Sequence, residues 1–170
     1  MLARLACLAA LILAADTAQA QRLPAVYLES GGASGLYALG VEQTVFTSAS
    51  GNQRFSVRAG AGYWTERGVF FEGRETFVSV PLAATASFQI ARLPAQFEAT
   101  GGFVFGYERN TIFVPAGADW TVRALPFGEA ALRVPITRRF FARGGAVIGG
   151  RQEFVVDGGV APVLGVGVQL

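Results

Sequence analysis

Histidine is absent from this 170-residue chain, and its single cysteine, Cys7, lies near the N-terminus. Without histidine neither a Ser-His nor an Asp-His pair can be assembled, which removes the usual general base of hydrolytic enzymes. A cysteine nucleophile, a disulfide and a thiolate metal site are excluded beyond residue 20 for want of a thiol. Lysine is missing as well, so all 14 positive charges are arginines. They are scattered, and no basic stripe suggests nucleic acid. The acidic residues are scattered too, with no ligand-like spacing, so neither a metal nor another cofactor is expected. After residue 20 no apolar run reaches the roughly 18 residues of a membrane-spanning helix. Spanning helices are therefore excluded, although more than half of the chain is hydrophobic.

What is present begins with a basic start at Arg4, an apolar run from Leu5 to Ala15, and small residues at Ala18 and Ala20. This is the pattern of a secretory signal peptide over residues 1–20, cleaved after Ala20. The run is too short for a membrane anchor of about 20 apolar residues. The mature protein should begin at Gln21 by mass spectrometry, and a retained Met1 would overturn the export reading.

Residues 21–170 are expected to form one domain. Helix-favouring runs are scarce, glycine is abundant, and apolar residues recur with period two. In "RFSVRAGAGYW" Phe55, Val57, Ala59, Ala61 and Tyr63 oppose Arg54, Ser56, Arg58, Gly60 and Gly62. "LYALGVEQTVF", "FVSVPLAATASF", "QFEATGGFVFGY" and "PVLGVGVQL" alternate in the same way. Such alternation marks half-buried strands. Eight are expected, near residues 23–30, 35–46, 54–64, 75–89, 95–107, 119–134, 138–149 and 160–170. An apolar chain with strands and no spanning helix satisfies its backbone in lipid by closing into a barrel. The fold class that follows is all-β: a closed antiparallel up-and-down transmembrane barrel of about eight strands.

Connection lengths are an independent check. Short connections fall at 48–53, 92–94 and 135–137, and longer ones at 65–74, 108–118 and 150–159. Outer-membrane barrels have short periplasmic turns and longer external loops, which places both termini in the periplasm. The first external connection, "GGASG", is short. Pro81, Pro126 and Pro162 fall in or beside strands of a sheet without edges, and a bulge or break is expected at Pro126.

With the apolar faces outward, Glu29, Glu42, Arg58, Glu98, Arg123, Glu129, Arg133 and Arg143 point inward. An eight-stranded barrel is just wide enough for side chains to fill it, so these acids and arginines are expected to pair as a structural plug. Arg58 and Arg123 should meet Glu42, Glu98 or Glu129. Phe46, Tyr63, Trp64, Phe88, Phe97, Tyr107, Trp120 and Phe140 lie near strand ends and are expected to form interfacial girdles.

The signal peptide, "VYLESGG", "GLYALGVEQ", "FSVRAGAGYW" and the terminal "LGVGVQL" resemble the small outer-membrane β-barrel proteins of Gram-negative bacteria, the type that includes outer-membrane protein A and outer-membrane protein X. The resemblance implies outer-membrane lipid as surroundings and the barrel-insertion machinery as a partner during assembly. Gly165, Val168 and Leu170 fit the glycine and the two hydrophobic positions of that machinery's signal, while Val163 and Leu170 stand where a polar and an aromatic residue are usual. A non-enzymatic monomer with a structural or surface-interaction role through its external loops is expected, and the sequence identifies no external partner. The alternatives are a narrow channel for small solutes or ions and a soluble lipocalin-like carrier. A carboxylate pair such as Glu42 with Glu98 could do acid-base work, but nothing in the spacing singles it out.

Overall fold

Alternating side chains give a strand two unlike faces, and closure gives every strand a partner on both edges. The computed structural model, which describes residues 24–33, 37–67, 74–110, 121–150 and 159–170, shows that closure. Its strands are β1 (Ala25–Gly31), β2 (Tyr37–Thr47), β3 (Gln53–Arg67), β4 (Arg74–Gln89), β5 (Gln96–Asn110), β6 (Thr121–Pro135), β7 (Phe140–Gly149) and β8 (Val160–Gln169). Each pairs antiparallel with the next, and β8 returns to β1. The fold is thus the closed eight-stranded up-and-down barrel expected. The strands β3 and β5 run further than expected, taking in Thr65 to Arg67 and Glu108 to Asn110, so the connections after them begin later. The expected signal peptide, with Ala18 and Ala20, lies outside the described residues.

The connections 48–52, 90–95 and 136–139 gather at one end of the barrel, here called the turn end. Gly51, with φ of +73°, donates its N–H to Ser48 O at 2.8 Å. In the β6–β7 turn Thr137 Oγ1 accepts the N–H groups of Arg139 at 3.3 Å and Phe140 at 3.0 Å. The first and last described residues meet there too, Leu170 N donating to Pro24 O at 3.0 Å. The opposite ends of the strands are joined by the segments after β1, β3, β5 and β7, and form the loop end.

The prolines are accommodated without the bulge or break expected at Pro126. The β5–β6 register runs through Phe103↔Pro126 unchanged. A strand residue points its N–H and C=O toward the same edge. The missing N–H of Pro126 therefore faces β7 just beyond its last pair with β6, Phe127↔Gly149. Pro126 O still accepts Gly150 N at 2.9 Å. Pro162 repeats the device: it lies one residue beyond Gly31↔Val163, the last β1–β8 pair, and accepts Gly32 N at 3.2 Å. At Pro81 the β3–β4 ladder skips the positions between Ala59↔Leu82 and Gly62↔Ser79 and resumes in the same register.

The bulge occurs elsewhere, in β2 between Thr44 and Phe46. The extra residue shifts parity, so Val45 and Phe46 both face outward and are exposed. Apolar residues cover the rest of the outer wall, among them Leu39, Val41, Leu82, Phe103, Ile148, Leu164 and Val166, each about half exposed or more. The core is the barrel's interior, with one apolar cluster toward the loop end, another toward the turn end, and buried charge between them.

Candidate functional site

Among the described residues, seven buried charged side chains meet inside the barrel. Glu29 and Glu42 come from β1 and β2, Arg58 from β3, Glu98 from β5, Glu129 and Arg133 from β6, and Arg143 from β7. All are inward by strand parity, and all are buried. Arg58 Nη2 lies 3.0 Å from Glu29, and its other nitrogens lie 3.6 Å from Glu129 and 4.0 Å from Glu42. Arg143 binds Glu29, Glu129 and Glu98, the last at 3.2 Å. Arg133 donates to Glu42, while its Nε lies 2.7 Å from Glu98 Oε1 without the alignment of a hydrogen bond. Every glutamate thus touches two arginines, and each arginine bridges strands that are distant in sequence. Buried pairs of this kind contribute little net stability, since desolvation offsets attraction, but breaking one strands a charge.

Arg123, expected among these groups, is not with them. It sits opposite Gly106 on the inward register of β6 but is exposed. The reason is its height: Phe77 and Val104 fill the interior between it and the carboxylates, so its guanidinium keeps its hydration. Among the described residues, Arg58, Arg133 and Arg143 are thus the buried arginines that meet the four glutamates.

Aromatic rings flank the charges. Tyr27 lies directly opposite Gly40, and Phe141 opposite Gly167. A Cβ on Gly40 would come within 2.3 Å of the Tyr27 ring, and one on Gly167 within 2.2 Å of the Phe141 ring. Each ring lies across its glycine and presents a face to an arginine: Arg58 Cζ is 4.3 Å from the Tyr27 centroid, and Arg133 Cζ is 4.1 Å from that of Phe141. Cation–π attraction is worth more where water is scarce. Toward the loop end Trp64, Phe77, Val104, Val147, Ala33 and Ala161 pack together, with Phe127 against them. Trp64, expected in a girdle, is thus an interior residue. It follows outward Tyr63, so alternation turns it inward. Among the described residues a cavity of about 20 Å³, lined by Glu29, Arg58 and Glu129, remains between these layers. It has room for about one water.

Other expected girdle residues face outward. Phe46 pairs with Phe55 and Phe88 with Phe97 near the turn end, where Phe140 also lies, while Tyr63 and Tyr107 flank Val78 near the loop end. Tyr37, not expected in the girdle, joins them at the loop end of β2. Trp120 lies outside the described residues. Of the terminal residues, Gly165 faces inward with its Cβ position 3.0 Å from Arg143 Cγ, Val168 faces outward, and Leu170 is exposed.

No protein-family model and no curated protein matches the sequence. Solved structures match in fold. The N-terminal β-barrel domain of Pseudomonas aeruginosa OprF is 16% identical with a TM-score of 0.52, over 89% of this chain and 100% of that one. Ail, the attachment invasion locus protein of Yersinia pestis, is 10% identical with a TM-score of 0.55, over 88% of this chain and 97% of the other. Neisserial surface protein A is 12% identical with a TM-score of 0.51, over 88% and 95%. These are outer-membrane barrels, and at such identities the likeness is one of fold.

Proposed function

We propose that this chain is an outer-membrane barrel without enzymatic activity, whose closed interior makes it a rigid carrier of its loop-end segments. The observation that supports this most directly is the outer wall. An apolar belt on this scale is far larger than the patches that soluble monomers expose. Rows of aromatic residues bound it: from Phe55 to Tyr63 is roughly 26 Å along the strand at about 3.3 Å per residue. At a tilt of about 40° this projects to about 20 Å, near the apolar height of outer-membrane barrels. The middle of the interior carries buried charge, which speaks against a lipocalin-like carrier with a polar outside and an apolar cavity.

The turn end, with Pro24 and Leu170, then faces the periplasm. Cysteines introduced at Gly68, Ala116 and Gln152 should react in intact cells with an impermeant thiol reagent, and the protein should fractionate with the outer membrane and migrate on gels in a heat-modifiable way. Reaction only at Gly51 and Thr137 would invert the topology, and recovery in the soluble fraction would defeat the membrane reading.

A narrow channel is the second reading, and the buried charges are what favour it. Against it stands the packed layer of Trp64, Phe77, Val104 and Val147 toward the loop end. Purified protein should show no steady conductance in planar bilayers.

A further inference from the structure

The turn end of the barrel is rich in arginine. The described turn-end connections and the strand positions beside them carry Arg54, Arg92, Arg138 and Arg139, and no acidic side chain. Between them the mouth opens into a cavity of about 400 Å³, lined by Arg54, Arg138, Arg139 and the buried Arg133, with Gln96 and Thr137. Arg133 is answered by Glu42 and Glu98, whereas Arg138 and Arg139 form no ion pair among the described residues.

The mouth is also held in shape. Arg54 Nη2 donates to Gln96 Oε1. Gln96 Nε2 reaches Gln89 Oε1 at 3.5 Å, and Gln89 Nε2 donates to Leu93 O at 2.7 Å and Ala95 O at 3.1 Å. One guanidinium is thereby tied to the β4–β5 turn. Across the mouth Thr137 fixes the turn that presents Arg138 and Arg139. Several like charges around one concavity repel each other and concentrate anions there.

We infer that this mouth is a binding site for a phosphate-bearing anion. Guanidinium forks match phosphate oxygens in pairs. A phosphate group can accept them from more than one side, as the placement of Arg54 opposite Arg138 and Arg139 requires, whereas a carboxylate offers fewer directions. The cavity is also within the range of about 300–1,000 Å³ typical of small-ligand sites. This inference goes beyond the outer-membrane reading and does not depend on which side of a membrane the mouth faces.

Inorganic pyrophosphate is a suitable probe, titrated calorimetrically at low salt into the mature barrel in uncharged detergent. Saturable binding is expected, and replacing both turn arginines (Arg138→Gln with Arg139→Gln) should weaken it about tenfold or more, because charge-assisted contacts are lost. Both are exposed turn residues, and heat-modifiable migration verifies the fold of the variant. Arg123→Gln, at the loop end, should leave binding unchanged. Repeating the titration in nanodiscs of phosphatidylcholine with and without phosphatidylglycerol identifies the source. Weakening by phosphatidylglycerol supports the site with a lipid headgroup as its occupant, and equal affinity supports it with a soluble phosphoryl compound. No saturable uptake of pyrophosphate, or equal losses in the turn variant and Arg123→Gln, would overturn the inference.

Discussion

Replacing Arg143 with methionine should lower the stability of the detergent-solubilised barrel by about 3–5 kcal/mol, the range seen when one partner of a buried ion pair is removed. The side chain is fully buried and bridges Glu29, Glu98 and Glu129, which come from β1, β5 and β6. Methionine keeps much of the volume, so the loss measures the stranded carboxylates more than a cavity. Arg123→Met is the control. Its guanidinium is exposed and outside the network, so the effect should stay within about 0.5 kcal/mol. Removing a charge on the other side as well, Arg143→Met with Glu129→Gln, should recover part of the loss, because two groups in direct contact are not additive. Urea unfolding in micelles followed by gel mobility reads all three. Equal, small effects of Arg143→Met and Arg123→Met would show that water solvates the interior charges, which would favour the channel.

The reason Arg143 could be placed inside from sequence is the period of a strand. Side chains alternate strictly, so one recognisable apolar stripe assigns the opposite face of the whole segment. In β8, outward Leu164 and Val166 fix Gly165 and Gly167 as inward. In β7, outward Ile148 leaves Val147 and Arg143 on the inner parity. Strand limits followed less closely: the turn-end connections expected at 48–53, 92–94 and 135–137 lie at 48–52, 90–95 and 136–139, so Arg138 and Arg139, expected in the seventh strand, belong to the turn. Parity states only which face a residue occupies, however, and not its height along the barrel axis. Arg123 has the parity of Glu129 and Arg133 but lies beyond the apolar layer, and height comes from the stagger of strands that pair far apart in sequence.

Two other features were hidden for related reasons. The β2 bulge adds a residue at Val45 and turns Phe46 outward, but nothing in "EQTVFT" distinguishes a bulge from regular strand. Trp64 was legible as inward from its neighbour Tyr63, and its size and place beside a loop favoured the interface instead. The juxtaposition of Tyr27 with Gly40 and of Phe141 with Gly167 depends on register. Single-residue errors in pairing would dissolve it. The sequence does hold a trace of it, since glycines on an inward face opposite aromatics leave the rings room to lie flat and meet arginines.

Phe77→Ala should be the second large effect, about 3–5 kcal/mol for a buried aromatic truncated in a packed interior. Phe77 is 2% exposed and packs with Trp64, Val104 and Val147 in the layer that separates the charged centre from the loop end. Its ring also occupies the space beside Gly106, where a Cβ would come within 2.5 Å of the ring edge. That contact supplies a test that simple loss of stability does not. Gly106→Val alone should destabilise by overpacking, on the order of 1–3 kcal/mol. In the Phe77→Ala background the same valine would enter vacated space and should restore part of the lost stability. Opposite signs for Gly106→Val in the two backgrounds are therefore expected from unfolding midpoints. Planar-bilayer recordings of Phe77→Ala should separately show whether this layer blocks ions, with brief openings absent from the parent protein. If Gly106→Val costs the same in both backgrounds, the ring and the glycine do not share a space, and Phe77 does not close the barrel in the way its packing indicates.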